Sequence, residues 1–175
     1  MGMDVYGLNP KRNTAKPEIL IEYTDDEGWT DWDKLSKNNT KDKDGNTVYS
    51  KEWDEYIAAK EAWDEDNPGR YFRNSVWWWR PLWDYVCTIC HDILDEEDHD
   101  YGHSNSGHQI DEKKAIAIAG RIDLFIKNGD AADYALEREH SLKEAEGPNA
   151  SYSFDLENLE WFGKFCEQSG GFEIC

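Results

Sequence analysis

The stretch Asn67–Trp83 constrains the fold of this chain more than any other part of the sequence. It contains six aromatic residues and three of the chain's six arginines, yet no aspartate or glutamate, although the whole chain has 38 acidic residues. Three of the aromatics are consecutive tryptophans, Trp77, Trp78 and Trp79. Consecutive side chains point about 100° apart on a helix and to opposite faces on a strand. The three rings therefore cannot share one environment, and at least one must meet something other than the core.

Length and composition bound the architecture. At 175 residues the chain has the size of one domain. Hydrophobic residues make up 38% of it and aromatic residues 14%, so tryptophan and tyrosine must supply much of any core. We therefore predict a single compact domain over residues 1–175, in which residues 1–50 form a loop-rich arm and residues 51–175 form a helical core.

Apolar residues recur at helical spacing through most of the chain after residue 50. Polar capping residues mark the starts of these segments, and glycine or proline marks their ends. The predicted helices extend from Ser50 to Asn67, from Pro81 to about Asp95, from Asp111 to Gly129, from Asp130 to Glu146, and from Ser153 or Asp155 to Gly170. A short apolar run, Asp4–Pro10, is predicted to be an edge strand or an ordered arm. The expected fold class is mainly α, with about five helices and minor β structure.

A formal charge of −19 restricts the partners of this protein. An acidic surface repels the phosphates of duplex nucleic acid, so direct duplex binding is not expected, whereas a partner with a basic surface would be attracted. The sequence contains no run of about 18 apolar residues and no signal peptide. We therefore expect a cytoplasmic protein that does not enter membranes, and the sequence leaves homo-oligomer formation open.

Four residues reproduce the ligand spacing of a zinc finger, C-x2-C-x12-H-x4-H: Cys87, Cys90, His103 and His108. Two features argue against a metal on these residues. Both cysteines fall inside a predicted amphipathic helix, where a thiol packs as a small apolar group, and the segment between the two pairs is acidic. We predict no cofactor, with a structural zinc on these four residues as the alternative.

The Asn67–Trp83 stretch carries the strongest indication of a binding site. Planar aromatic rings stack on bases, guanidinium groups bind phosphate, and an amide can hydrogen-bond the polar edge of a base. The predicted ligand-binding residues are Tyr71, Arg73, Asn74, Trp77, Trp78, Trp79 and Arg80, joined by Asn105 and His108 from the loop after the second predicted helix. The alternative is structural, with the arginines paired to buried carboxylates and the tryptophans filling the core.

Four blocks of the sequence resemble small uncharacterised proteins of phages and prophages. The blocks are Asp4–Pro10, Tyr71–Leu82 (Tyr-Phe-Arg-Asn-Ser-Val-Trp-Trp-Trp-Arg-Pro-Leu), Asn105–Gly107 and Cys166–Ile174. The resemblance implies a viral origin and the cytoplasm of a bacterial host, and it carries over no catalytic activity. It also implies a type of role, because phage accessory proteins of this size often disable host factors or sequester the nucleotide messengers of host defence.

Three functional hypotheses follow, in order of preference. The first is a non-enzymatic, phage-type binding protein that captures a small, anionic, base-bearing (nucleotide-like) ligand and so sequesters a host-defence signal. The second is an acidic inhibitor that imitates nucleic acid toward a basic host protein. The third is a metal-dependent enzyme, which is disfavoured because the sequence contains no nucleophile elbow, P-loop, His-Glu-x-x-His or dinucleotide fingerprint. A basic concavity in an acidic shell would favour the first hypothesis, and a continuous acidic face with buried arginines would favour the second.

Overall fold

The computed structural model of this protein describes residues 2–144 and 152–175. Within these ranges the chain forms eight helices and six strands. In chain order they are β1 (Gly2–Gly7), α1 (Glu18–Glu22), α2 (Trp32–Ser36), β2 (Thr40–Lys41), β3 (Thr47–Val48), α3 (Lys51–Asp66), β4 (Tyr71–Ser75), α4 (Val76–Ile89), α5 (Glu96–Tyr101), β5 (His108–Ile110), α6 (Glu112–Asn128), α7 (Asp130–Glu144), α8 (Leu156–Gln168) and β6 (Phe172–Ile174).

These elements form two compact units. The sheet unit comprises the described parts of residues 1–11 and 68–175, and the small unit comprises residues 12–67. The division predicted at residue 50 falls elsewhere in the structure. Helix α3 belongs with the segment before it, because α1 and α2 both pack against α3.

The sheet unit contains a four-stranded antiparallel sheet in the order β4-β1-β6-β5. The prediction of an edge strand or arm near Asp4–Pro10 is wrong in position, because β1 lies inside the sheet and pairs with β4 on one side and β6 on the other. Alternation explains this placement. Met3 and Val5 are buried on one face of β1, while Asp4 and Tyr6 face the other way and are more exposed.

One face of this sheet forms part of the core. Val5, Phe72, Phe172 and Ile174 are buried in a single hydrophobic cluster with residues of α4, α6 and α8. Helices α6 and α8 pack closely against each other, and the rings of Phe162 and Phe172 meet edge to face at 5.7 Å between centroids. Aromatic side chains therefore supply much of this core, as the composition predicts.

Helix α4 begins at Val76 rather than at Pro81, so the predicted start of this helix is wrong. Pro81 lies inside the helix, where its missing N–H cannot pair with the carbonyl of Trp77. The apolar face of α4 continues on both sides of Pro81, with Trp79 before it and Trp83 after it, and both rings are fully buried. Burial of this face stabilises the helical turn that precedes the proline.

The other predicted helices agree with the structure where it describes them. The side chains of Ser50 and Asp111 accept hydrogen bonds from the first turns of α3 and α6, and Gly129 ends α6 in the left-handed region at φ 87°. Helix α8 follows the N-cap Asp155. The predicted end of α7 at Glu146 lies outside the described residues.

Helix predominates as predicted, but the structure is a mixed α/β protein and the expected count of about five helices is wrong. Helices α1, α2 and α5 were not predicted, because each has six residues or fewer and cannot show a sustained period. The small unit adds a two-stranded hairpin of β2 and β3 to a core of Leu20, Leu35 and Tyr56. Within the described ranges, no helix is both long and apolar enough to cross a membrane.

Candidate functional site at the start of α4

Strand β4 runs directly into helix α4, and this junction positions the candidate site. Ser75 is the N-cap of α4 and has an extended backbone, with φ −71° and ψ 156°. Within the described chain, its side chain accepts no hydrogen bond from the first turn, and that turn carries no acidic residue. The first amide groups of a helix point along its axis, out of its N-terminal end, as unpaired donors, and the helix dipole adds partial positive charge there. The start of α4 is therefore suited to a negative group.

An open depression of about 510 Å³ lies at this junction. Its lining residues are Gly2, Arg73, Asn74, Ser75 and Trp78. The side chain of Arg73 is 66% exposed and the Trp78 residue is 40% exposed, so both groups are accessible from solvent. A depression of this volume falls in the range of small-molecule sites, roughly 300–1,000 Å³.

Arg73 has a weak internal partner in Asp4. The Nε atom of Arg73 lies 3.6 Å from Oδ1 of Asp4, which is beyond hydrogen-bond distance. The hydroxyl of Tyr71 donates a hydrogen bond to the same Asp4 oxygen. Burial, followed by this hydrogen bond, raises the pKa of Tyr71 well above its ordinary value. Tyr71 is thus committed to Asp4, whereas the guanidinium of Arg73 keeps donors for a ligand.

Two predicted amide residues stand at the edge of the depression. The Nδ2 group of Asn74 donates to Oδ1 of the buried Asn158 over 2.9 Å, which fixes the orientation of the Asn74 side chain. The Nδ2 group of Asn105 donates to the carbonyl of Gly2, a lining residue, over 3.0 Å. Asn74 therefore lines the depression with Arg73 and Trp78, and Asn105 is linked to it through Gly2.

His108 is held by other groups. Its Nε2 atom lies 2.9 Å from Oδ1 of Asp98, a carboxylate that is almost fully buried, and its ring stacks on Tyr101. Asp98 also accepts hydrogen bonds from Lys114 and from the backbone of Asp95. These contacts tie α5 to β5 and α6. The structure gives His108 a structural role in place of the predicted contact with a ligand.

Trp77 and Arg80 form a second group next to the depression. They lie three residues apart on α4 and share one face of the helix. The ring of Trp77 packs on Tyr152 at 4.9 Å between centroids, and Nη1 of Arg80 donates to the Tyr152 hydroxyl over 2.8 Å. The guanidinium of Arg80 also lies over the Tyr152 ring, 5.7 Å from its centroid. Trp77 and Arg80 thus contact Tyr152, whereas Trp78 and Arg73 line the depression.

Trp79 belongs to the core, so its assignment to the ligand site is corrected. Its residue is fully buried, its ring stacks on Trp83 with 5.5 Å between centroids, and its Nε1 group donates to the carbonyl of Gly102 over 2.8 Å. The three consecutive tryptophans therefore take different environments. Trp79 packs as support beneath the surface on which Trp77 and Trp78 are exposed.

The four residues with zinc-finger spacing have separate surroundings. Burial raises the pKa of the Cys87 and Cys90 thiols to about 12, and both side chains belong to the hydrophobic core. His103 lies 3.2 Å from Asp84, and His108 is engaged by Asp98. Among residues 2–144 and 152–175, no three histidine, cysteine, aspartate or glutamate side chains form a group that could hold a metal ion.

We expect the purified protein to contain less than stoichiometric zinc and to melt at nearly the same temperature with and without a chelator. A structural zinc contributes directly to the folding free energy, so its removal would lower the melting temperature strongly. Elemental analysis and thermal denaturation in the presence of EDTA measure the two quantities. Stoichiometric zinc together with a large chelator-induced drop would contradict the interpretation of Cys87 and Cys90 as core residues.

Several residues of this region were not predicted from the sequence. Ser75 carried a usable signal, since serine before a helical segment is a common N-cap, but placing the helix start at Pro81 concealed it. Gly2, Asp4 and Tyr152 carried none. They reach the region through strand pairing and packing between residues remote in the sequence.

No protein-family model matches the chain. No curated protein and no solved structure matches it either. The chemistry of the depression at the start of α4 is therefore the basis on which a function is proposed.

Proposed function

We propose that this protein is a non-enzymatic binding protein that captures a small anionic ligand bearing a planar base. The depression at the start of α4 carries the proposal, because an accessible guanidinium, a helix start without a side-chain cap and an exposed indole line one space. The anionic group of the ligand lies against Arg73 and the first amides of α4. Its base stacks on Trp78, and Asn74 hydrogen-bonds the edge of the base.

The chemistry of each contact matches a nucleotide-like ligand. Helix N-termini bind phosphate through backbone amides and the helix dipole. A charge-assisted hydrogen bond contributes about 1.5–3 kcal/mol, and stacking of a base on an aromatic ring contributes about 1–3 kcal/mol. No covalent step is required of these residues, which is why a binding role is favoured over an enzymatic one.

The placement of the arginines supports this hypothesis over the nucleic-acid mimic. Arg73 and Arg80 are both exposed, whereas a mimic would present a continuous acidic face with its arginines buried. An overall charge of −19 does not prevent anion binding here, because the range of electrostatic interactions is about 8 Å at physiological salt. The stretch from Asn67 to Trp83 contains no aspartate or glutamate.

The biological role that we propose is sequestration of a nucleotide signal of host defence. It depends on the resemblance to phage and prophage proteins and places the protein in the cytoplasm of a bacterial host. The mimic of nucleic acid that binds a basic host protein is the alternative hypothesis. It predicts capture of a protein and no retention of a small ligand.

Native mass spectrometry with a panel of nucleotides and cyclic dinucleotides tests the proposal, followed by titration of the ligand retained. Arg73→Ala should weaken binding by roughly 10- to 150-fold, the equivalent of one charge-assisted hydrogen bond. Trp78→Ala should weaken it by roughly 5- to 150-fold. Arg80→Ala should have a smaller effect, since Arg80 does not line the depression.

Arg12→Ala is the matched control for charge. Arg12 is exposed, lies in the small unit and does not line the depression. It should leave affinity unchanged, and all variants should melt close to the parent protein. If no member of the panel binds or stabilises the parent protein, and Arg73→Ala lowers the melting temperature strongly, Arg73 is structural and the proposal fails.

A further inference from the structure

The small unit exposes an unusual amount of aromatic surface. Trp29 is 63% exposed, Trp32 is 49% exposed and Tyr49 is 53% exposed. The fully buried core of this unit consists only of Leu20, Leu35 and Tyr56. A small unit gains most of its stability by burying its largest rings, so three large rings left at the surface indicate an interaction site.

Two of these rings, Trp32 and Tyr49, both pack against the partly buried Trp53. Tyr49 stacks on Trp53 with 4.8 Å between centroids and an interplanar angle of 24°. The ring of Trp32 packs against Trp53 with 5.6 Å between centroids, and it meets the buried Tyr56 in a T-shaped contact at 6.2 Å. We call Trp32, Trp53 and Tyr49 the aromatic row. Its anchoring on Tyr56 holds the rings in place before any partner binds, which reduces the entropy cost of binding.

Trp29 is presented separately by an acidic turn. Oδ1 of Asp25 accepts hydrogen bonds from the backbone N–H groups of Glu27 and Trp29, over 3.0 and 2.8 Å. The backbone N–H of Asp25 in turn donates to the carbonyl of Trp29. These bonds fix the turn while the carboxylates of Asp26 and Glu27 remain exposed. The exposed indole of Trp29 therefore lies in the same turn as the exposed carboxylates of Asp26 and Glu27.

The charge around these rings is strongly negative. Residues 12–67 contain 16 acidic side chains and eight basic ones. Asp31 and Asp33 flank Trp32, and Glu52 precedes Trp53. Two of the lysines already have acidic partners, since Lys51 pairs with Glu55 over 2.8 Å and Lys60 pairs with Asp64. The surface therefore complements a basic partner and repels nucleic acid.

The combination of exposed indoles and carboxylates selects one kind of cation. A guanidinium group is planar and weakly hydrated, so it stacks on an indole face while its edges bind carboxylates. The ammonium group of lysine is compact and strongly hydrated, and it stacks less well. We infer that the small unit binds an arginine-containing segment of a partner protein, with guanidinium groups stacked on Trp29 and the aromatic row. This surface shares no residue with the depression at the start of α4.

Fluorescence anisotropy with a labelled peptide of arginines separated by glycine and serine tests the inference. Two matched peptides carry lysine or citrulline in place of every arginine. We expect the arginine peptide to bind several-fold more tightly than the lysine peptide and the citrulline peptide not to bind. Trp29→Ala and Trp32→Ala should each weaken binding of the arginine peptide by roughly 2- to 30-fold.

Trp161→Ala is the matched control, because Trp161 is 54% exposed but lies in the sheet unit. It should leave the affinity for the peptide unchanged. Equal binding of the arginine and lysine peptides, together with no effect of Trp29→Ala, would show attraction by bulk charge alone and overturn the inference. Circular dichroism verifies that each variant is folded. If Trp32→Ala proves unstable, Trp29→Ala still tests the inference, because Trp29 is 63% exposed.

Discussion

Replacing Trp79 by alanine is expected to lower the unfolding free energy by about 3–5 kcal/mol, whereas the same change at Trp78 should lower it by less than about 1 kcal/mol. The two residues are adjacent in the sequence and the substitution is chemically identical. Trp79 is fully buried, stacks on Trp83 and donates its Nε1 hydrogen to Gly102, so its removal leaves a cavity and an unpaired carbonyl. Trp78 is 40% exposed and lines an open depression.

Urea denaturation of the two variants and the parent protein measures this difference directly. In a parallel thermal denaturation, a change of about 1 kcal/mol in unfolding free energy shifts the melting temperature of a protein of this size by about 2–4 °C, so the two variants should be clearly separated. The expected order is parent, then Trp78→Ala close to it, then Trp79→Ala far below. If Trp78→Ala were as destabilising as Trp79→Ala, the indole of Trp78 would be a core group and could not serve as a stacking surface.

Replacing Gly102 by alanine is expected to destabilise the protein by about 1–3 kcal/mol or more, although the backbone at this position suits any residue. Gly102 has φ −63° and ψ −15°, in the ordinary helical region. A Cβ atom there would lie 2.2 Å from Cε2 and Nε1 of the Trp83 ring. Trp83 is fully buried and packs against both Trp79 and Phe162, so its ring has no room to move aside. The cost is therefore steric.

Gly120→Ala provides a control with the opposite expected sign. Gly120 lies within α6, and a Cβ atom there would meet nothing within 4 Å. Alanine stabilises a helix interior by roughly 0.5–1 kcal/mol relative to glycine. Denaturant titration of both variants should place them on opposite sides of the parent protein. A neutral Gly102→Ala would mean that the helix α5 and the Trp83 ring can separate without loss, which contradicts the close packing in the structure.

Local signals in the sequence were sufficient for the longer helices other than α4 and for the different directions of the three tryptophans. Ser50 and Asp111 were recognisable as caps because their effect is confined to the turn that follows them. The prediction that Trp77, Trp78 and Trp79 cannot share one environment is confirmed, because Trp79 is buried while the other two are exposed. It could be made from the sequence because it depends only on helix geometry. Arg73, Asn74 and Trp78 line one depression, while the assignment of these residues and Asn105 to a ligand site stays a prediction.

Contacts between remote residues could not be predicted in the same way. Asn158 fixes Asn74, and Tyr152 pairs with Arg80, from segments that give no sign of these partners in the sequence. His108 looked like a loop residue available to a ligand, but the buried Asp98 engages it. The requirement for glycine at position 102 is invisible as well, because it depends on a ring that arrives from α4.

The placement of β1 between β4 and β6 has a consequence for folding during synthesis. Asp4 in β1 exchanges two backbone hydrogen bonds with Cys175, over 2.8 and 2.7 Å, so neighbouring strands come from opposite ends of this sequence. Contacts of such long sequence separation form late, because the intervening chain must first be ordered. The buried residues Leu20, Leu35 and Tyr56 of the small unit are all translated before β4. A nascent chain that has not reached residue 172 can therefore complete the core of the small unit, while β1 keeps an unpaired edge that is open to chaperones and to other growing chains.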